Sequence, residues 1–118
     1  MENDLTKVLE QFMSVKGVTS IALVGRDGFV IESTTSTETD MDALGAMVAS
    51  ALCAAESLGQ EFGFGPMEQY LSEYTNGKVI MATAGDDILA VFTDETALIG
   101  GVRLAVKKNL PEVIKAYQ

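Results

Sequence analysis

The stretch LVGRDGFVIES, residues 23–33, sets an arginine beside an aspartate between two apolar runs. Arg26 and Asp27 could grip a phosphate, the guanidinium stabilising charge on a phosphoryl group in transfer. Other groups raise the same question. Arg103 precedes Lys107 by one helical turn, Asp86 adjoins Asp87, and Asp94 adjoins Glu95. Gly100 and Gly101 stand near a predicted helix start, and Cys53 is the single thiol.

Each has a plainer reading. Gly25 and Gly28 flank the Arg-Asp pair and supply backbone freedom, so Asp27 favours a chain reversal and Arg26 projects into water. Arg103, on a predicted helix, reads as solvated surface charge. Adjacent carboxylates at a strand start point to opposite faces and do not converge for acid–base work, which leaves Asp86 and Asp87 a turn role. Asp94 and Glu95 suit a helix start, where the dipole favours negative charge. Paired glycines could admit an anion, but close packing of a helix on a sheet accounts for them better. Cys53 has no basic neighbour in its apolar helix and reads as packing.

Absences narrow the chemistry further. The chain has no histidine, which removes His-based triads and His-ligated metals. No Gly-Lys-Ser/Thr follows a glycine loop, and GFGP at residues 63–66 lacks the third glycine of a dinucleotide fingerprint. No catalytic, cofactor-binding or metal-ligating residue is therefore assigned, no cofactor is expected, and the chain does not read as an enzyme. Its 118 residues argue for one domain spanning 1–118, and 47% apolar content suffices for a core. Acidic residues outnumber basic ones 17 to 8, for a formal charge of −9. That field repels nucleic acid and anionic membranes but admits a basic protein surface. One cysteine, an acidic start and a longest interior uncharged run of 13 residues (43–55) predict a cytoplasmic protein without membrane insertion.

The elements that position these groups follow from periodicity. Leu5, Val8, Leu9 and Phe12 make one helical stripe, capped by Asn3 or Asp4 and ended by Gly17. TSIALV and FVIEST form a hairpin around residues 25–28. Asp40 caps a long helix over residues 41–62. MEQYLSEY, KVIMATA and DILAVFT then form a meander, with Asn76 and Gly77 marking its first turn and Gly85-Asp86 its second. A last helix covers residues 97–109, and Pro111 ends or kinks it. Strands apolar on both faces belong inside the sheet, and polar strands at its edges. The predicted result is an α/β (α+β) sandwich with a five-stranded, mostly antiparallel sheet of order 2-1-5-4-3. The middle helix covers one face and the terminal helices the other.

The middle helix predicts a partner. At 100° per residue, Met41, Leu44, Met47, Val48, Ala51, Leu52, Ala55, Leu58 and Phe62 gather on a side that should pack on the sheet. The opposite side presents Ala46, Ala49, Ser50, Cys53 and Ser57, small and uncharged, where a second helix can approach closely. The third strand adds an edge without lysine, with Tyr70 and Tyr74 on one face and Leu71 on the other. A two-fold homodimer through this helix and this edge is expected.

With these elements in place the chain resembles the roadblock family, which includes the dynein light chain roadblock and the bacterial MglB-type regulators. ALVGRDGFVIEST followed by MDALGAMVASALCAAES matches the family's strand, Asp-Gly turn, strand and small-residue helix. DDILAVFTDETALIGGVRLAVKKN is similar to its final strand and helix, with Ile99-Gly100 and then Arg103 at the helix entry. The resemblance implies a profilin-like sandwich acting as a dimeric platform for a small Ras-like GTPase. In the MglB-type branch it implies activation of GTP hydrolysis by repositioning the GTPase's own catalytic parts. Two alternatives stand beside it: an adaptor without effect on hydrolysis, and a small-molecule sensor with a cavity beside Met47, Met81 and Phe92.

Overall fold

A computed structural model of the protein describes residues 4–117. Its first helix, α1 (Asp4–Phe12), buries Leu5, Leu9 and Phe12, as their spacing predicts. Asn3 lies outside the described residues. The helix stops well before Gly17, because Met13 and Val15 donate to Glu10 and Phe12 (both 3.0 Å) in tightened i→i−3 turns. The strands β1 (Val18–Val24) and β2 (Val30–Thr35) make the expected hairpin. Next comes α2 (Met41–Glu61), where Asp40 Oδ1 accepts from the Ala43 amide at 3.2 Å.

The meander consists of β3 (Tyr70–Tyr74), β4 (Gly77–Ala84) and β5 (Asp87–Asp94), and α3 (Ile99–Tyr117) closes the chain. The sheet runs β2-β1-β5-β4-β3, every pair antiparallel, in the order that strand polarity required. One core lies under α1 and α3, built on Phe12, Ile21, Leu23, Leu89, Val102 and Val106. The other lies under α2, with Val24, Val48, Leu52, Met81 and Ile88. Alternate residues of β1, β4 and β5 supply the two cores, so these strands are apolar on both faces.

Two boundaries differ from expectation. MEQYLSEY enters the sheet only at Tyr70, because Gln69 turns away to donate from Nε2 to the Arg103 carbonyl (3.3 Å) on α3. The last helix does not end near Pro111 but runs through it to Tyr117. Proline deprives the Lys107 carbonyl of its helical donor, a loss this exposed face can give to water.

Candidate interaction site

The middle helix sits on the sheet in an orientation that apolar content alone does not reveal. Its buried residues are Leu44, Gly45, Val48, Ala49 and Leu52, whereas Met47, Leu58 and Phe62 are about two-thirds exposed. The cause is the β1–β2 turn. The Gly28 carbonyl lies so close to Gly45 that a Cβ there would collide with it, and a Cβ on Gly28 would lie 3.3 Å from Ala46 Cα. The helix therefore packs its smallest residues against the turn and rolls its larger ones outward. Ala49, expected on the outer face, is buried at 6% exposure. Ala46, Ser50 and Ser57 are exposed or half-exposed, and Cys53 is half-buried. What faces outward is a stripe of Met47, Ser50, Ala54 and Leu58, uncharged along its length. Met47, Ala54 and Leu58 are not assigned to this surface by sequence periodicity; the signal is Gly45, one helical turn before Ala49.

Arg26 is exposed, as expected, but it is not a free surface charge. Its Nη1 and Nη2 donate to the two carboxylate oxygens of Glu56 at 2.6 and 3.1 Å, and Nε donates to the Asp86 carbonyl at 3.1 Å. One guanidinium thus ties the β1–β2 turn to α2 and to the β4–β5 turn. Nη1 also lies 3.9 Å from Cys53 Sγ, so this thiol has the basic neighbour that the sequence did not disclose. The bidentate bonds raise the Arg26 pKa further and hold Glu56 below its ordinary value. Burial pushes Asp87 up, with Asp86 and Asp27 adding to the rise and Arg26 opposing it. The guanidinium is committed to Glu56, which suits an anchor rather than a finger aimed at a phosphate.

The turn residues hold their places for different reasons. Gly28 has φ 90° and needs glycine, while Gly25 has no positive φ and instead leaves room for the Asp27 carboxylate. Asp27 Oδ1 accepts from the Phe29 amide at 3.0 Å, the local bond that favours reversal. Asn76 and Gly77 also lack positive φ; Gly77 is required because a Cβ would strike the Thr93 carbonyl on β5. A Cβ added at Gly100 or Gly101 would meet nothing within 4 Å, which corrects the expectation of close packing there. Asp94 accepts from the Thr96 hydroxyl (2.6 Å) and amide (2.8 Å), which lower its pKa, and it closes the strand rather than opening α3.

Beside the outer face of α2 lies the open edge of β3. Tyr70 and Tyr74 turn toward α2, where they join Met47, Met81 and Phe92 in lining an apolar groove of about 220 Å³. Leu71 points to the other face and is half exposed. At the C-terminal end of α2, Phe62 and Phe64 stack with centroids 5.5 Å apart and extend the apolar surface. Length and composition alone would let α2 cross a membrane, despite its short uncharged run. Here its inner face packs on the sheet and Glu56 is ion-paired, so its apolarity serves a core and an outer surface.

The fold has counterparts in known proteins. The Roadblock/LC7 domain model matches residues 5–93. The uncharacterized protein MJ1340 of Methanocaldococcus jannaschii is 37% identical over 112 residues, covering 95% of this chain and 97% of its own. MglB of Myxococcus xanthus superposes with a TM-score of 0.88 at 23% identity, over 96% of this chain and 94% of that one. An MglB structure with a tetrameric arrangement gives 0.87 at 24% identity, over 95% and 86%. The solved structures establish the sandwich, and the domain match, with MJ1340 beside it, establishes the family: the chain belongs to the Roadblock/LC7 domain family.

Proposed function

We propose that this protein is a homodimeric, non-catalytic platform that binds a small Ras-like GTPase and stimulates its hydrolysis of GTP. The observation that carries the proposal is the uncharged outer stripe of α2 beside the bare edge of β3, in a chain of this family. Two copies related by a two-fold axis would lay their α2 helices side by side and pair their β3 edges. Ala46, Ser50, Cys53 and Ser57 would line the helix seam with Met47, Ala54 and Leu58, while Tyr70, Leu71 and Tyr74 would form the strand seam. Ala49 would support the seam from beneath. The tetrameric MglB arrangement supports self-association of this fold.

The platform reading is tested by a pull-down and a GTP-hydrolysis assay with the co-purifying Ras-like GTPase. Binding with accelerated hydrolysis is the expected result. Binding at an unchanged rate would select the adaptor reading, and failure to bind would overturn both. The groove beside Met47, Met81 and Phe92 supports a second reading, a sensor for a small apolar molecule. In the dimer that groove would border the seam and contribute to self-association instead.

A further inference from the structure

Although the chain carries a charge of −9, α3 holds four basic residues, Arg103, Lys107, Lys108 and Lys115, against one acid, Glu112. Positive charge is thus gathered on one helix of an acidic molecule. Arg103 and Lys107 border a trough of about 570 Å³ between α3 and the segment entering β3, on the face opposite α2.

Two features distinguish this trough from ordinary surface. The first is an arginine held in place without being neutralised. Arg103 Nε donates to Gln69 Oε1 at 3.2 Å, and Gln69 Nε2 donates back to the Arg103 carbonyl at 3.3 Å. A neutral amide orients the guanidinium, and among the described residues no carboxylate is ion-paired with Arg103 or Lys107. The second is an unpaired rung of the sheet. The β3–β4 ladder ends at Tyr70–Met81, but β4 continues to Ala84. Tyr74 and Gly77 close a two-residue hairpin, so odd-numbered residues of β4 turn their backbone groups toward β3. Thr83 continues that series beyond the last rung, and among the described residues no loop hydrogen bond reaches its N–H or C=O. A second hollow of about 480 Å³ meets Thr83 from the α2 side.

We infer that this trough receives an extended acidic segment of a protein partner, its backbone pairing with Thr83 and its carboxylates meeting Arg103 and Lys107. The free rung selects a peptide, since neither a lipid headgroup nor a free anion offers a paired N–H and C=O. The trough is a surface groove rather than an enclosed cavity, which suits a passing chain better than a small ligand. Glu68 on the same rim repels a dense polyanion and favours separate carboxylates, spaced by apolar side chains that turn to the α2 side, where Met67 borders the second hollow.

Fluorescence anisotropy with a labelled peptide of alternating glutamate and valine tests the inference, with a lysine–valine peptide as control. Saturable binding of the glutamate peptide alone is expected, weakening as salt rises. Arg103→Glu and Lys107→Glu should each weaken it about tenfold or more. Both side chains are exposed, so both variants should keep the wild-type melting curve by circular dichroism. Hydrogen exchange on the unaltered protein gives a separate readout: the Thr83 amide should become protected in the complex. No saturable binding, binding indifferent to both reversals, or binding that leaves Thr83 unprotected would each overturn the inference. So would binding to phosphatidylserine vesicles or inorganic phosphate, in place of the peptide, through the same two residues.

Discussion

Arg26 shows how a side chain changes meaning between sequence and structure. Beside Asp27 it suggested phosphate chemistry or a solvated turn; the fold instead hands it to Glu56, thirty positions away. The pairing could not be read from the sequence because it depends on how α2 sits over the hairpin. The pair is partly exposed, at 39% and 23% for the two side chains, so solvent screens it. A double-mutant cycle with Arg26→Ala and Glu56→Ala should give a coupling of about 1 kcal/mol in urea unfolding. The pH dependence has a definite sign. Glu56 has a folded pKa below its ordinary 4.5, so its contribution is complete above that value and is lost as pH falls through the depressed one. Asp94 acts in the same direction, while Asp87, pushed up by burial, opposes folding above its ordinary value and is relieved by acid. Glu56→Gln should therefore flatten the acid limb of the stability curve below about pH 4.5 relative to wild type.

At the scale of elements, the seating of α2 is the decisive contact, and two of its glycines test it in opposite directions. In a free helix, alanine in place of glycine stabilises by about 0.5–1 kcal/mol. Gly59 has nothing within 4 Å of an added Cβ, so Gly59→Ala should raise stability by about that amount. Gly45 lies against the Gly28 carbonyl, so Gly45→Ala should instead lower it by about 1–3 kcal/mol, read from the denaturation midpoint. Most of this level was legible in the sequence. Burial of β1, β4 and β5 on both faces, with polar β2 and β3 at the margins, led to the strand order, because a sheet covered on both sides leaves few other arrangements. The roll of α2 was not legible. Counting apolar residues favours Met47 and Leu58 as inward-facing, but steric access at Gly45 and Ala49 decides the contact. Gln69 similarly ended β3 early through a bond to α3 that no local pattern announces.

For the whole molecule, the homodimer is the proposal on which the platform reading stands. Light scattering during size exclusion at tens of micromolar should give twice the 12.5 kDa chain mass. Ser50→Arg or Ala54→Arg, on the exposed outer stripe, should give a folded monomer, whereas Ala49→Arg would unfold the protomer because that site is buried. A wild-type monomer would sink the dimer and favour the sensor reading of the groove. The two margins of the sheet are unlike each other. Beyond β1, β2 carries Glu32, which accepts from Thr6 Oγ1 of α1 at 3.2 Å, and its pairing with β1 is irregular at Leu23 and Val24. Such features guard a strand against strangers, while β3 has no lysine to do so. If both margins were receptive, every added copy would expose a fresh one and the protein would polymerise. With β3 as the receptive strand, two-fold pairing would occupy it in both copies at once, and growth of the sheet would terminate at two.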